Sequence, residues 1–165
     1  MAKKYLSVLV ANHAGVLARV SSLFCQRGFN IDSLTVSATD DPTVSRITIS
    51  TEGNDEDVFK QIKRQTAKLY ETKAIYELDP AVSLLRELLL IKVRADASNR
   101  GELHEIATIY KAKTIDLSKE SMVFELTGDP SKIDGFLKMF ESYEILEMCR
   151  TGVTALERGY DPDKF

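Results

Sequence analysis

Tyr5-Leu6-Ser7-Val8-Leu9-Val10-Ala11-Asn12-His13-Ala14-Gly15-Val16-Leu17-Ala18-Arg19-Val20-Ser21-Ser22-Leu23-Phe24 is the stretch that decides the fold. Residues 5–11 are β-rich and read as a buried strand. Asn12-His13-Ala14-Gly15 is a turn cluster. From Val16 the apolar positions are Val16, Leu17, Val20, Leu23 and Phe24, the spacing of one buried helical face. Gly28 ends that helix as a left-handed C-terminal residue. Reading onward, a second strand is predicted over about 30–38, a turn at Asp40-Asp41-Pro42, and a third strand over about 44–51. In that strand Ile47 and Ile49 alternate with Arg46, Thr48 and Ser50, so one face is buried and the other polar. Gly53-Asn54-Asp55 introduces a second helix with Val58, Ile62, Gln65 and Leu69 on one side. A fourth strand, about 72–78, closes a βαββαβ unit.

After Pro80 the same order returns. Leu89, Ile91, Val93 and Ala95 alternate with Lys92 and Arg94 in a strand. Ser98-Asn99-Arg100-Gly101 opens a helix carrying Leu103, Ile106, Ala107 and Tyr110. Strands follow over about 113–117 and 121–127, the latter with Met122, Phe124 and Leu126 on one face. Asp129-Pro130 is a helix start, an N-cap followed by proline at the first helical position. Ile133, Phe136, Leu137 and Phe140 form the buried face of that helix. A last strand spans about 143–149, and the segment after Gly152 trails behind. The fold class is therefore α+β: two tandem ferredoxin-like βαββαβ units, residues 1–79 and 80–165. Units of about 80 residues have thin cores, and each sheet keeps one face open. A second copy of the chain is the expected cover, which predicts a homodimer or a larger assembly.

Composition narrows the function classes. The 165 residues are 44% hydrophobic and 28% charged, a soluble globular balance. The net charge is −3, with 22 Lys and Arg interspersed among 25 Asp and Glu, so no basic footprint for nucleic acid exists. The apolar run Leu88–Ile91 is broken by Lys92 and Arg94, far short of a membrane span. No signal peptide is read at the start, because Lys3 and Lys4 lead only into a short apolar stretch. Two isolated cysteines, Cys25 and Cys149, form no spacing motif and point to a reducing cytoplasm.

No catalytic constellation stands out. His104 reads as a solvated helical histidine, and Cys25 and Cys149 read as small packing residues. The carboxylates Asp40, Asp41, Glu52, Asp55, Glu56 and Asp57 fall at turns and a helix start, where they serve helix dipoles and solubility. No Gly-x-Gly-x-x-Gly or Walker-type loop is present, and the scattered His and Cys leave little for a metal site. The informative segment is again 12–19. There a strand ends, Gly15 permits close backbone approach, and a helix begins with free amides pointing outward, a geometry that suits a carboxylate. The Asn12 side chain can offer an acceptor to an ammonium or a donor to a carboxylate. The plain alternative is an ordinary strand-to-helix turn. Gly28-Phe29-Asn30-Ile31 is a second candidate, from which Asn30 could reach across a subunit boundary; its plain alternative is a helix-cap turn.

At these segments the chain resembles a known family. The string from Leu6 to Val20, followed by Arg27-Gly28-Phe29-Asn30-Ile31-Asp32-Ser33-Leu34-Thr35-Val36, is similar to the ACT domain of the small, regulatory subunit of acetohydroxyacid synthase (acetolactate synthase). Thr39-Asp40-Asp41-Pro42 and Ser45-Arg46-Ile47-Thr48-Ile49 extend the match. In the second unit, Asn99-Arg100-Gly101-Glu102 and Arg150-Thr151-Gly152-Val153 resemble the family's carboxy-terminal domain more loosely. The resemblance implies a subunit of branched-chain amino-acid biosynthesis that performs no chemistry. It implies binding to the large catalytic subunit, activation of it, and feedback inhibition by a branched-chain amino acid, usually valine. Thiamine diphosphate, magnesium and FAD are then expected on the catalytic subunit, with none bound by this chain. It further implies ACT domains paired side by side with effector at the dimer interface. Carried over, Asn12, His13, Ala14, Gly15, Val16 and Leu17 of one chain bind the head group, and Asn30 and Ile31 of its neighbour complete the pocket. The other readings weighed are a free-standing amino-acid sensor or the regulatory part of another pathway enzyme, a small enzyme on the same fold, and an RNA-binding module. The last lacks the stacking aromatics that module needs in Arg46-Ile47-Thr48-Ile49-Ser50.

Overall fold

In the computed structural model, residues 3–52 and 56–159 are described. The element order is β1 (Lys3–Ala11), α1 (Val16–Gln26), β2 (Ser33–Ala38), β3 (Val44–Glu52), α2 (Glu56–Thr66), β4 (Thr72–Leu78), β5 (Ser83–Arg94), α3 (Arg100–Tyr110), β6 (Lys113–Leu117), β7 (Ser121–Gly128), α4 (Pro130–Met139), β8 (Ile145–Arg150) and β9 (Thr154–Glu157). The sheets run β2-β3-β1-β4 and β6-β7-β5-β8, with β9 paired to β5 off the second path. Both orders are ferredoxin-like, as the sequence pattern predicts. The chain divides into two compact units, one formed by the residues up to Leu84 with the segment from Val153, the other by Leu85–Gly152.

In the first unit β1 lies antiparallel between β3 and β4. Strand alternation puts Leu6 and Val8 opposite Ile49 and Ile47, on the face that α1 and α2 cover. From α1 that core takes Val16, Val20 and Phe24, whereas Leu17 stays 40% exposed. From α2 it takes Phe59 and Ile62, with Thr66 also buried. The expected stripe through Gln65 and Leu69 is thus rotated: Gln65 is half-buried, and Leu69 packs against the core from beyond the helix end. The Gly53-Asn54-Asp55 helix start and the Val58 side chain lie outside the described residues.

The opposite face of this sheet carries Ser7 facing Thr48 and Tyr5 facing Ser50, and all four are buried. Within one chain the cover is not a second copy. The segment from Val153 lies over this face: Thr35 Oγ1 donates to the Val153 carbonyl at 2.7 Å, and the Val153 amide donates to Ser33 Oγ at 3.3 Å. Val153 and Ala155 are themselves buried. The sequence reading gave this segment to the second unit as a trailing tail, because four residues of strand leave too short an alternation to detect.

The second unit packs α3 and α4 on the face of its sheet formed by Leu89, Ile91, Val93, Met122, Phe124 and Leu126. Phe136 and Phe140 meet there edge-on, with ring centroids 4.8 Å apart. The N-cap of α4 is as predicted: Asp129 accepts from the Lys132 amide at 2.9 Å, and Pro130 opens the helix. Asp129→Ala should lower stability by about 1 kcal/mol. A lower urea midpoint at unchanged slope would show it.

Candidate functional site

The turn between β1 and α1 is held by main-chain and side-chain bonds that leave its outer surface open. The Asn12 amide donates to the Thr43 carbonyl at 2.8 Å and the Ala11 amide to the Glu71 carbonyl at 2.8 Å. The Asn12 side-chain nitrogen donates to the Pro42 carbonyl at 2.9 Å. That bond uses one N–H of the side-chain amide and leaves the group a further donor and an acceptor oxygen. Asn12, His13, Ala14 and Gly15 are exposed, Val16 is buried, and Leu17 is exposed. His13 turns back on its own turn, its Nδ1 3.2 Å from the Ala14 carbonyl oxygen.

Gly15 is the N-cap of α1 and sits at φ 87°, in the left-handed region that favours glycine. No side chain caps this helix, and its first turn holds no acidic residue. The Arg19 amide bonds the Gly15 carbonyl at 3.1 Å, closing the first helical turn. The amides of Val16, Leu17 and Ala18 precede it and have no intrahelical partner. A surface of this kind, with the positive helix end behind it, attracts a carboxylate. Arg19 pairs with the buried Glu71 at the foot of β4, anchoring the first turn of α1 to the sheet.

Asn12 depends in turn on the β2–β3 connection. Asp41 accepts from the Thr43 amide at 2.8 Å and from the Thr43 hydroxyl at 2.7 Å. The Thr43 hydroxyl bond, then the amide bond, hold the Asp41 carboxyl below its ordinary value. The fold therefore favours the carboxylate: its contribution is present above the unfolded pKa and is lost as pH falls through the lowered folded value. An NMR titration should show the Thr43 and Asn12 amides moving together below the usual carboxylate range, and independent movement would separate Asn12 from this turn.

Asn30 and Ile31 lie at the other end of α1. The Asn30 side chain donates to Asp32 at 3.0 Å, and its carbonyl accepts from Thr51 Oγ1 at 2.7 Å. Asn30 is exposed and Ile31 half-buried. The 11-residue helix between the two segments is about 16 Å long. One chain therefore does not bring Asn30 and Ile31 into the same small pocket as residues 12–17. Pro42 and Thr43, which hold Asn12, carry no signal in the sequence, since their contact with it is made through main-chain carbonyls.

Comparison with known proteins places these features in a family context. Residues 6–74 match the family model described as an AHAS small subunit-like ACT domain, and residues 86–159 match that for the small subunit of acetolactate synthase. The acetolactate synthase small subunit of Mycolicibacterium smegmatis is 47% identical, over 93% of this chain and 90% of its own length. The acetolactate synthase isozyme 3 small subunit of Escherichia coli is 41% identical, over 95% of this chain and 96% of its own. The crystal structure of the acetolactate synthase small subunit from Thermotoga maritima superposes with a TM-score of 0.88 at 36% identity, over 98% of this chain and 100% of that one. None of the described helices is long and apolar enough to cross a membrane.

Proposed function

The chain belongs to the family of acetolactate synthase small subunits, and from that premise we propose that it is the regulatory partner of a catalytic subunit and senses a branched-chain amino acid, with valine the first to test. The observation that carries this reading is the uncapped first turn of α1. Free amides of residues 16–18 suit the effector carboxylate, and the side-chain oxygen of Asn12 can accept from its ammonium. Leu17, exposed beside them, supplies an apolar wall. β2 is an edge of its sheet, so two chains can pair there side by side. In that arrangement Asn30 and Ile31 of the neighbour close the pocket over residues 12–17, and each effector bridges two chains.

Regulation follows from linkage. An effector that bridges two chains stabilises one arrangement of the pair and biases its contacts to the catalytic subunit. Feedback of about 5- to 150-fold requires roughly 1–3 kcal/mol of such coupling. Thiamine diphosphate, magnesium and FAD belong to the catalytic subunit in this reading, and the chain contributes no reacting group.

Calorimetric titration of the purified chain with valine, leucine and isoleucine, with alanine and glutamate as controls, tests the reading. Saturable binding of a branched-chain amino acid is expected, together with co-purification of the catalytic subunit. Asn30→Ala removes one hydrogen bond to a charged group and should weaken effector binding about 10-fold. Unchanged affinity removes Asn30 from the site. Binding without any association with a catalytic chain would favour the second reading, a free-standing amino-acid sensor.

A further inference from the structure

A cavity of the first unit lies on the sheet face away from α1. Ser7, Arg46, Tyr76 and Leu78 line its floor, and Leu156, Glu157 and Gly159 of the C-terminal segment line its wall. Its volume is about 210 Å³. That equals about seven waters at ~30 Å³ each, enough for an organic molecule of comparable size. Ser7 lies on the face away from α1 and four residues along β1 from Ala11, about 13 Å. The cavity is therefore separate from the turn at residues 12–17, and its argument does not depend on the effector reading.

Two polar groups here are unsatisfied. The Ser7 hydroxyl belongs to a residue with 0% exposure and has no hydrogen-bond partner among the described residues. Arg46 is half-buried, and its guanidinium makes no hydrogen bond or ion pair with the described residues, unlike Arg19, Arg94 and Arg150. A buried hydroxyl and a partly desolvated cation without partners among the described residues are both unfavourable, and one anion relieves both. Arg46 is the planar donor that pairs two-pronged with a carboxylate. A single cation near the acidic Glu157 suits a singly charged anion over a phosphate. Leu78 and Leu156 offer apolar surface to the rest of the ligand.

We propose that this cavity binds a small aliphatic carboxylate, with Arg46 on the carboxylate, Ser7 hydrogen-bonded to it, and Leu78 and Leu156 around the alkyl group. Because the lining comes from both the sheet and the C-terminal segment, an occupant fastens that segment to the sheet.

Methyl NMR of the whole chain, titrated with isobutyrate and with its neutral isostere isobutyramide, tests this. Isobutyrate should give saturable shifts at Leu78 and Leu156 and leave Leu17 unmoved, while isobutyramide gives none. Arg46→Gln should weaken isobutyrate at least tenfold. Ser7→Val fills the floor of the cavity with methyl groups; it should abolish binding while the melting temperature holds or rises. L-Valine titrated in parallel distinguishes an amino acid from a free carboxylic acid as the source of the carboxylate. Absence of saturable shifts with millimolar isobutyrate, equal shifts with isobutyramide, or undiminished binding by Arg46→Gln overturns the proposal. Undiminished binding by a folded Ser7→Val chain does so as well.

Discussion

Gly15→Leu should leave a folded chain whose affinity for a branched-chain amino acid falls at least 100-fold, a loss of about 2.7 kcal/mol. Gly15 sits at φ 87°, and a Cβ built there meets no atom within 4 Å. Any L residue at that position is strained by roughly 1–2 kcal/mol, but nothing in the chain clashes with it. The leucine side chain has open space to fill at the start of α1, where the effector carboxylate is proposed to sit. Gly15→Ala is the control, because it carries the same backbone strain with little bulk. The two variants should melt at similar temperatures, and the alanine variant should keep part of its affinity. A leucine variant that titrates like the unaltered chain would remove this turn from the site.

Arg150→Met should destabilise the second unit by about 2–4 kcal/mol. For a unit of this size that lowers its melting temperature by roughly 10 °C or more. Arg150 is bonded to Asp134 at 2.7 Å and also to Glu87, whose exposure is 5%. Burial works against the charge on Arg150, but the hydrogen bonds to Asp134 and Glu87 outweigh it and hold the guanidinium more firmly protonated than a free one. Methionine keeps much of the volume and leaves Glu87 as a buried carboxylate without its cation. The double variant Arg150→Met, Glu87→Leu removes both charges and should recover most of the loss. A single variant that melts with the unaltered chain would show that water reaches Glu87 and that the pair is dispensable.

The legible parts of this fold are those where one face of an element is buried and the other is not. β3, with Ile47 and Ile49 against Arg46, Thr48 and Ser50, could be read directly, as could the Asp129-Pro130 start of α4. The α2 stripe was misread because Phe59, Ile62 and Thr66 define a face that includes a hydroxyl residue, and a hydropathy pattern passes over a buried threonine. β9 was missed for a related reason. It is four residues long with only Ala155 buried, and the Val153 before it is held by Thr35 and Ser33, so it shows no recognisable apolar run. At the candidate site, the turn ending in a left-handed Gly15 was legible because it is local. The orientation of Asn12 was not, since Pro42 and Thr43 contribute only main-chain carbonyls to it. The Ser7 cavity was also hidden, because it forms only when residues from both ends of the chain meet.

The hydrogen bond from Thr35 to Val153 spans 118 residues of sequence, and it gives the two units an unequal order of maturation during synthesis. At about 5–20 residues per second, the ribosome needs roughly 6–24 s to deliver Val153 after Thr35. The stretch Leu85–Gly152 is made within that interval, and until Val153 follows the first unit keeps one sheet face uncovered. The sheet of the first unit is thus among the first parts made and the last to be covered.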